Sequence, residues 1–441
     1  MKRYYIIVYG CQMNISDSER VRTVLDKAGF QETEKETGAD VVVVVACSIR
    51  QSAINRIYGK IPTFNRYKKN NPDFKVIITG CILPKDKKFF LTKIDFITNI
   101  KDIEKIPELL YSKAPDNYNK REKQEESTQN YFKISPKQTS NFSATVPIMT
   151  GCSNYCTYCV VPYVRGQKQS RPVEDILRET QFLIDNNYKE VWLLGQNVND
   201  YDGKYQKEEY NFAKLIKKID EQISLSSKKI WIRFTSPHPK NFSDELIEVI
   251  ASGKNITNYI NLPMQSGDNE ILKRMNRGYT IEEYKDLVKK IRKKIPTIAL
   301  STDLILGFSG ETEKSFQNTV KAVQKIEFDM IYINQYSVRK GTVAEKFEDN
   351  VTKKEKKARW EIINQELTKI SYKKNQKYLN EIVEVLIDSS YKGEYLGKTR
   401  DYKSVKIRND QKCPKSLIGN FVKVKIIEVQ SFGLKGRLIK N

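Results

Sequence analysis

The chain has 441 residues, 39 % hydrophobic and 30 % charged, which gives apolar material for real cores in two or three domains rather than one. With 77 Lys and Arg against 54 Asp and Glu, the net charge of +23 favours a polyanionic partner, although abundant Lys, Asn, Ile and Tyr are also what an AT-rich genome yields. The single histidine, His238, leaves almost nothing for multi-histidine metal sites or Ser–His and Cys–His catalysis, and no apolar run approaches membrane-spanning length, so a cytoplasmic protein without a membrane is expected.

Residues 1–111 read as repeated strand–helix units. "KRYYIIVYG" runs into Cys11, "DVVVVVA" into Cys47 and "DFKVIITG" into Cys81, with helix-compatible sequence over 18–28 and 52–67. Near-continuous apolar strands alternating with helices predict a parallel sheet covered on both faces. Groups just beyond the carboxyl ends of such strands gather on one edge, so these three cysteines are expected to converge although sequence separates them widely. Three unrelated buried thiols are the plainer alternative, and the same placement three times weighs against it. Residues 112–142 are polar, charged and nearly free of aliphatic side chains, which predicts a linker or surface excursion.

Strand–helix alternation resumes over 143–377. Strand candidates are "ATVPIMT", "EVWLLGQ", "KIWIRFT", "NYINLPMQ", "TIALSTDLILG" and "MIYINQYSV", separated by amphipathic stretches at 173–186, 212–223, 281–294 and 313–326. Six such units predict a partial or full TIM-like α/β barrel with its functional groups at the carboxyl ends of the strands. Those positions hold Cys152, Gly195-Gln196-Asn197, the stretch 236–239, Gln265-Ser266-Gly267, Asp303 with Gly307, and Arg339. A charged helical connector is expected over 353–376. Residues 378–441 change to short alternating strands with glycine turns, which predicts a small all-β barrel. Its 13 basic against 7 acidic residues concentrate part of the charge excess and favour nucleic acid.

"GCSNYCTYCVVPYVRG" places Cys152, Cys156 and Cys159 in one loop. A closed zinc site takes four protein ligands, and His238 or Cys413 would complete only one such site. Three thiolates on a [4Fe–4S] cluster instead leave one iron open for a substrate or cofactor, where ligation normally uses four cysteines. CxxxCxxC with Tyr158 before the third cysteine resembles the loop of radical S-adenosylmethionine (SAM) enzymes. Cys11, Cys47 and Cys81 then read as a second such cluster, and Cys413 is left as an ordinary thiol.

"YGCQMNISDSER", "ACSIRQSA", "ITGC", the Cys152 loop, "LLGQNVNDY", "RFTSPHP", "LPMQSGDNEILKRMNRGYT", "DLILGFSGET" and "YSVRKGTVA" together resemble the methylthiotransferases of the radical SAM superfamily. The closest branch is the tRNA-2-methylthio-N(6)-dimethylallyladenosine synthase (MiaB) type, and the tail is similar to a TRAM RNA-binding domain. The resemblance implies an N-terminal methylthiotransferase domain over 1–111, a radical SAM domain with its connector over 143–377 and a TRAM domain over 378–441. It implies methylthiolation at C2 of the isopentenylated adenosine beside the anticodon of tRNA, with two [4Fe–4S] clusters and two SAM. It further implies an electron donor such as flavodoxin or ferredoxin, and a sulfur source. Cys11, Cys47, Cys81, Cys152, Cys156 and Cys159 would be the metal ligands. Tyr158, Gly195, Gln196, Asn197, Gln265, Ser266 and Asp303 would be SAM contacts, each with an alternative reading as barrel-end polar structure. No catalytic group beyond the cluster ligands is singled out. The sequence departs from the family pattern at Ala46, Asn261, Ser309 and "SPHP". His238 reads as orienting the backbone at a strand end. Arg233 and Arg339 are weighed as contacts to phosphate or the SAM carboxylate against salt-bridged or solvated arginines. The alternatives are the same chemistry on threonylcarbamoyl-adenosine, and a non-catalytic RNA-binding protein with structural metal.

Overall fold

Strand β1, Arg3–Tyr9, leads into helix α1, Gln12–Lys27; β2 is Gln31–Glu32, β3 Val41–Cys47, helix α2 Gln51–Asn70, β4 Lys75–Cys81 and β5 Phe96–Ile97. The computed structural model describes residues 2–48, 51–111, 124–408 and 417–439. In it these strands form one parallel sheet in the order β2-β1-β3-β4-β5. Strand β3 is buried along its whole length. Val41, Val43 and Val45 pack with Val21 and Leu25 of α1 on one face, and Val42 and Val44 with Ile54 and Ile57 of α2 on the other. Helices on both sides are what an unalternating run of valines requires.

Helix α1 starts well before the expected 18–28, because Cys11 caps it. The Asn14 N–H donates to the Cys11 carbonyl at 2.9 Å and the Asn14 Oδ1 accepts from the Cys11 N–H at 3.2 Å. Gly80 has φ +105°, and a Cβ there would sit 2.3 Å from the Ala46 carbonyl oxygen, so only glycine lets β3 and β4 approach at this level. Within the polar stretch expected as a linker, Gln124–Lys133 is helical, and Tyr131, Phe132 and Ile134 join the core beneath α1.

The chain divides into two compact units, one of residues 1–140, 145–153 and 159–179, the other of residues 141–144, 154–158 and 180–441. In the second, Trp231–Phe234 pairs in parallel with Glu190–Leu194. A further parallel set comprises Tyr259–Asn261, Ala299–Leu306 and Met330–Gln335. Helices Phe212–Leu225, Asp244–Ser252, Ile281–Lys294 and Glu313–Ile326 intervene. This is the expected α/β class. The run "NYINLPMQ" yields only three strand residues because Gln265, at φ 67°, turns the chain and keeps a single bridge to Leu304. "ATVPIMT" divides into Ser143–Pro147 and Met149–Thr150 at a proline that lacks an N–H for the ladder. An antiparallel hairpin, Asp202–Tyr205 with Glu208–Asn211, is inserted after the strand Glu190–Leu194.

Helix Lys353–Asn375 leads to a closed five-stranded barrel of Ile382–Tyr391, Glu394–Thr399, Ser404–Arg408, Phe421–Gln430 and Gly433–Leu438. Ser404–Arg408 and Gly433–Leu438 pair in parallel, and the other neighbours antiparallel. Glu394–Thr399 and Ser404–Arg408 form a hairpin turning near Tyr402, which has φ 68°. Val385, Ile387, Tyr395, Val405, Ile407, Val424, Ile426 and Leu434 fill the barrel. Cys413 lies outside the described residues.

Candidate cluster and cofactor sites

In the first unit, β3 and β4 end as register partners, Cys47 opposite Cys81, while Cys11 stands at the cap of α1, two residues beyond the end of β1. Cys47 and Cys81 are buried and Cys11 is exposed. Burial pushes the Cys81 thiol up to about 12; the Arg165 guanidinium opposes this, and Cys47 and, more weakly, Cys11 reinforce it. Cys47 and Cys81 thus sit side by side at one sheet edge, with Cys11 at the start of the helix that follows the neighbouring strand. Arg165 Nε donates to the Cys81 Sγ at 2.8 Å and Nη2 to Asp17 Oδ2 at 2.5 Å. Asp17 is fully buried, and its Oδ1 accepts from the Tyr131 hydroxyl at 2.7 Å. Asn14 Nδ2 reaches the Ala46 carbonyl at 3.2 Å and Asp17 Oδ2 at 3.5 Å. Burial works against the Arg165 charge, but Asp17 and then Cys81 outweigh it, so the guanidinium is held firmly protonated. Arg165 Nη1, also buried, has no hydrogen-bond partner among the described residues.

This donor set fits a thiolate-ligated iron–sulfur cluster: three cysteines on one edge, with a buried cation to balance the negative charge of deprotonated thiols and sulfide. Among the described residues no three of His, Cys, Asp and Glu are gathered to hold a single metal ion. A four-iron cube sets its ligands wider apart than one ion does.

The loop of Cys152, Cys156 and Cys159 begins at Gly151, whose φ of +77° allows its backbone against the Gln167 carbonyl; a Cβ would lie 2.1 Å from that oxygen. The Cys152 N–H donates to the Gly166 carbonyl at 3.2 Å, and the Val161 N–H approaches the Cys159 Sγ at 3.5 Å. In the second unit, Cys156 is buried and Arg277 Nη1 lies 3.3 Å from its Sγ and 3.5 Å from the Tyr158 hydroxyl. Arg277 is anchored by the Pro263 carbonyl at 3.3 Å and the Tyr279 hydroxyl at 3.1 Å.

The strand-end residues of that unit present polar atoms without protein partners. Asn197 is 1 % exposed, and both its Nδ2 and Oδ1 are buried and unpartnered among the described residues, as are Gln265 Oε1 and His238 Nε2. A native interior satisfies its polar groups, so each of these strand-end atoms leaves hydrogen-bonding capacity open to a polar ligand. Ser266 is spent differently, its hydroxyl lying 3.4 Å from Thr319 Oγ1, and Asp303 Oδ2 accepts from Asn261 Nδ2 at 3.0 Å. Gly195 is buried and Gln196 and Tyr158 half-buried. His238 Nδ1 accepts from the Lys240 N–H at 3.3 Å, which is the backbone-orienting role expected of it. Burial, then the charges of Arg277 and Lys240, lower its pKa to about 3, so it stays neutral. Arg233 is salt-bridged, its Nε 2.6 Å from Glu190 Oε1, and its remaining nitrogens donate to the Arg400 and Thr399 carbonyls. It is 1 % exposed, its guanidinium taken up by protein partners.

On the barrel, exposed Arg437 is the register partner of exposed Arg408 on one side and exposed Lys425 on the other. This exposed basic stripe is suited to an anionic backbone laid over it. Arg165, Asp17, Asn14 and Arg277 were not singled out from sequence. For Arg165 the available signal was its place six residues after Cys159, and for Arg277 its place in "MNRGYT".

Three family models match: the radical SAM superfamily over residues 146–323, "Uncharacterized protein family UPF0004" over 3–101 and the TRAM domain over 376–439. A tRNA-2-methylthio-N(6)-dimethylallyladenosine synthase of Clostridium botulinum is 40 % identical, covering 99 % of this chain and 97 % of the relative. One from Carboxydothermus hydrogenoformans is 38 % identical over 99 % of each. Among solved structures, the radical S-adenosylmethionine methyltransferase TsrM from Kitasatospora setae matches at a TM-score of 0.53 and 13 % identity, over 76 % of this chain and 73 % of that one. That likeness concerns the fold alone. No helix among the described residues is long and apolar enough to cross a membrane.

Proposed function

The chain belongs to the tRNA-2-methylthio-N(6)-dimethylallyladenosine synthase family, and we propose that it is the tRNA methylthiotransferase that modifies C2 of the isopentenylated adenosine beside the anticodon. The observation that carries this is the 40 % identity extending over nearly the full length of both chains. Radical SAM membership implies a [4Fe–4S] cluster and SAM. On our reading Cys152, Cys156 and Cys159 would hold that cluster, and Cys11, Cys47 and Cys81 a second one. Bound there, the groups would supply reductive cleavage of the SAM sulfonium, hydrogen abstraction at C2 and the sulfur that is methylated.

The chain's own residues do the rest. Asn197, Gln265 and His238 present unpartnered polar atoms to a polar ligand. Arg277, through its contact with Cys156, keeps a positive charge beside the thiolate. The Arg408–Arg437–Lys425 stripe offers the charge complement of a tRNA backbone. Acting on a base requires taking it out of its stack, which the unstacked anticodon loop makes cheap. The electron donor would be a flavodoxin or ferredoxin and a separate sulfur source would replenish the site, with the enzyme in the cytoplasm alongside its tRNA.

The test is mass analysis of tRNA nucleosides from a strain lacking the protein. Loss of 2-methylthio-isopentenyladenosine with accumulation of the isopentenyl form is expected. Loss of the methylthio group from threonylcarbamoyl-adenosine instead would move the enzyme to the other branch. Anaerobically purified protein should carry about eight irons, falling to about four in a Cys152→Ala/Cys156→Ala/Cys159→Ala variant. Stoichiometric zinc with no iron after reconstitution would leave only an RNA-binding protein.

A further inference from the structure

Buried cations need a reason. Arg165 is 2 % exposed, and its guanidinium is divided between two acceptors, the Asp17 carboxylate and the Cys81 sulfur, with a third nitrogen left unpartnered. A structural ion pair with Asp17 alone would be satisfied by the two-pronged fork that arginine and a carboxylate prefer. Here only Nη2 goes to Asp17, and Nε turns to the thiol. Asp17 is in turn fixed by the Tyr131 hydroxyl on Oδ1 and approached by Asn14 on Oδ2. Asn14 also accepts from the Cys11 N–H and donates to Ala46, the residue before Cys47. One buried carboxylate is thus linked through one intermediary each to Cys81 and to Cys11. Nothing in this arrangement is needed to hold β3 against β4, which their ladder already does.

We propose that Arg165, oriented by Asp17, is a positioning residue of the Cys11–Cys47–Cys81 site that donates a charge-assisted hydrogen bond to the Cys81 sulfur and thereby raises the reduction potential of a cluster bound there. The proposal rests on the reading of these cysteines as ligands given above. Hydrogen bonds to ligand sulfur and a neighbouring positive charge both stabilise the more reduced, more negative state of a cluster, so their loss moves its midpoint down. Arg165→Met removes donor and charge at similar volume. Arg165→Lys keeps the charge but loses the fork.

The experiment is a potentiometric titration, followed by electron paramagnetic resonance, of the full chain in the Cys152→Ala/Cys156→Ala/Cys159→Ala background, with iron counted in every sample. The background should hold about four irons. Arg165→Met should keep that iron and shift the midpoint to more negative potential, with Arg165→Lys falling between. An unchanged midpoint with iron retained in Arg165→Met overturns the proposal while leaving the cluster reading intact. Should Arg165→Met fail to assemble, Arg165→Lys decides alone, a negative shift supporting the role and an unchanged midpoint refuting it. A background that binds no iron overturns the cluster reading, and the proposal with it.

Discussion

Arg233 offers the most direct check on the energetics of the second unit. Its Nε lies 2.6 Å from Glu190 Oε1, its Nη1 2.9 Å from the Arg400 carbonyl and its Nη2 3.0 Å from the Thr399 carbonyl. The guanidinium also lies within 4.9 Å of the Tyr402 ring centroid, 5.1 Å of that of Trp231 and 5.6 Å of that of Trp192. Arg233→Met keeps much of the packing volume and removes the charge. The Glu190 carboxylate keeps only the Ser143 hydroxyl and the Trp192 indole as donors among these contacts, both at Oε2. Breaking a buried pair by removing one partner costs about 3–5 kcal/mol. Two carbonyls stripped of donors add to this, and water reaching the barrel loop returns part of it, so a loss of about 4 kcal/mol is expected. The three tryptophans, Trp192, Trp231 and Trp360, all belong to the second unit, so urea unfolding followed by their fluorescence reads this unit alone. A loss below about 1 kcal/mol would refute the reasoning, because it would mean the ion pair was already solvated. Adding Glu190→Gln to Arg233→Met should restore at least about 1 kcal/mol relative to the sum of the single changes.

Other expectations follow from the same geometry. His238, with a pKa of about 3 when folded and about 6.5 when unfolded, leaves the unfolded chain to take up the proton first as pH falls. Its contribution to stability is intact above about pH 6.5 and declines at up to about 1.4 kcal/mol per unit down to about pH 3. His238→Gln should flatten that limb, and the lone imidazole should show no titration by NMR between about pH 5 and 8; a midpoint near 6.5 would contradict its burial. Gly80→Ala, clashing with the Ala46 carbonyl at a positive φ, should cost at least about 2 kcal/mol. Iron analysis should show it losing the metal of the Cys11–Cys47–Cys81 site and keeping that of the other, and a full complement in both would count against the assignment. Asn197→Ala removes a buried side-chain amide that makes no hydrogen bond among the described residues, so stability by denaturant titration should hold, while SAM binding by equilibrium dialysis should weaken about tenfold. Unchanged affinity would take Asn197 out of the SAM site. Arg437→Ala should reduce the slope of log tRNA affinity against log salt by about one, and an unaltered slope would detach the barrel stripe from RNA.

Much of this was legible because hydrophobic pattern and topology are local. Five consecutive valines in a strand that ends at Cys47 announce a doubly covered strand, and the two other cysteine-terminated runs announce its neighbours. Helices Ile281–Lys294 and Glu313–Ile326 fall where their apolar spacing puts them. What failed was decided by single backbone angles or distant partners. Gln265 adopts a positive φ without being glycine, so nothing in "NYINLPMQ" marks where its strand stops. The pairs Asp17–Arg165 and Arg277–Cys156 join residues 148 and 121 positions apart, and no periodicity records them. The start of helix α1 lacks a conventional signal because a cysteine stands at its cap.

The register of β3 and β4 carries a consequence for how such chains tolerate changes in length. Cys47 and Cys81 face the same way only because they are opposite each other in the ladder. One residue inserted into Val41–Cys47 or Lys75–Cys81 would turn one of the two sulfurs to the opposite face of the sheet. The same insertion near the exposed end of α2 leaves both strands, and both sulfurs, where they are. Length variation among relatives should therefore collect in the crossovers and be absent from the last turns of chain before each cysteine, so that metal loading and correct strand alignment are selected as one trait.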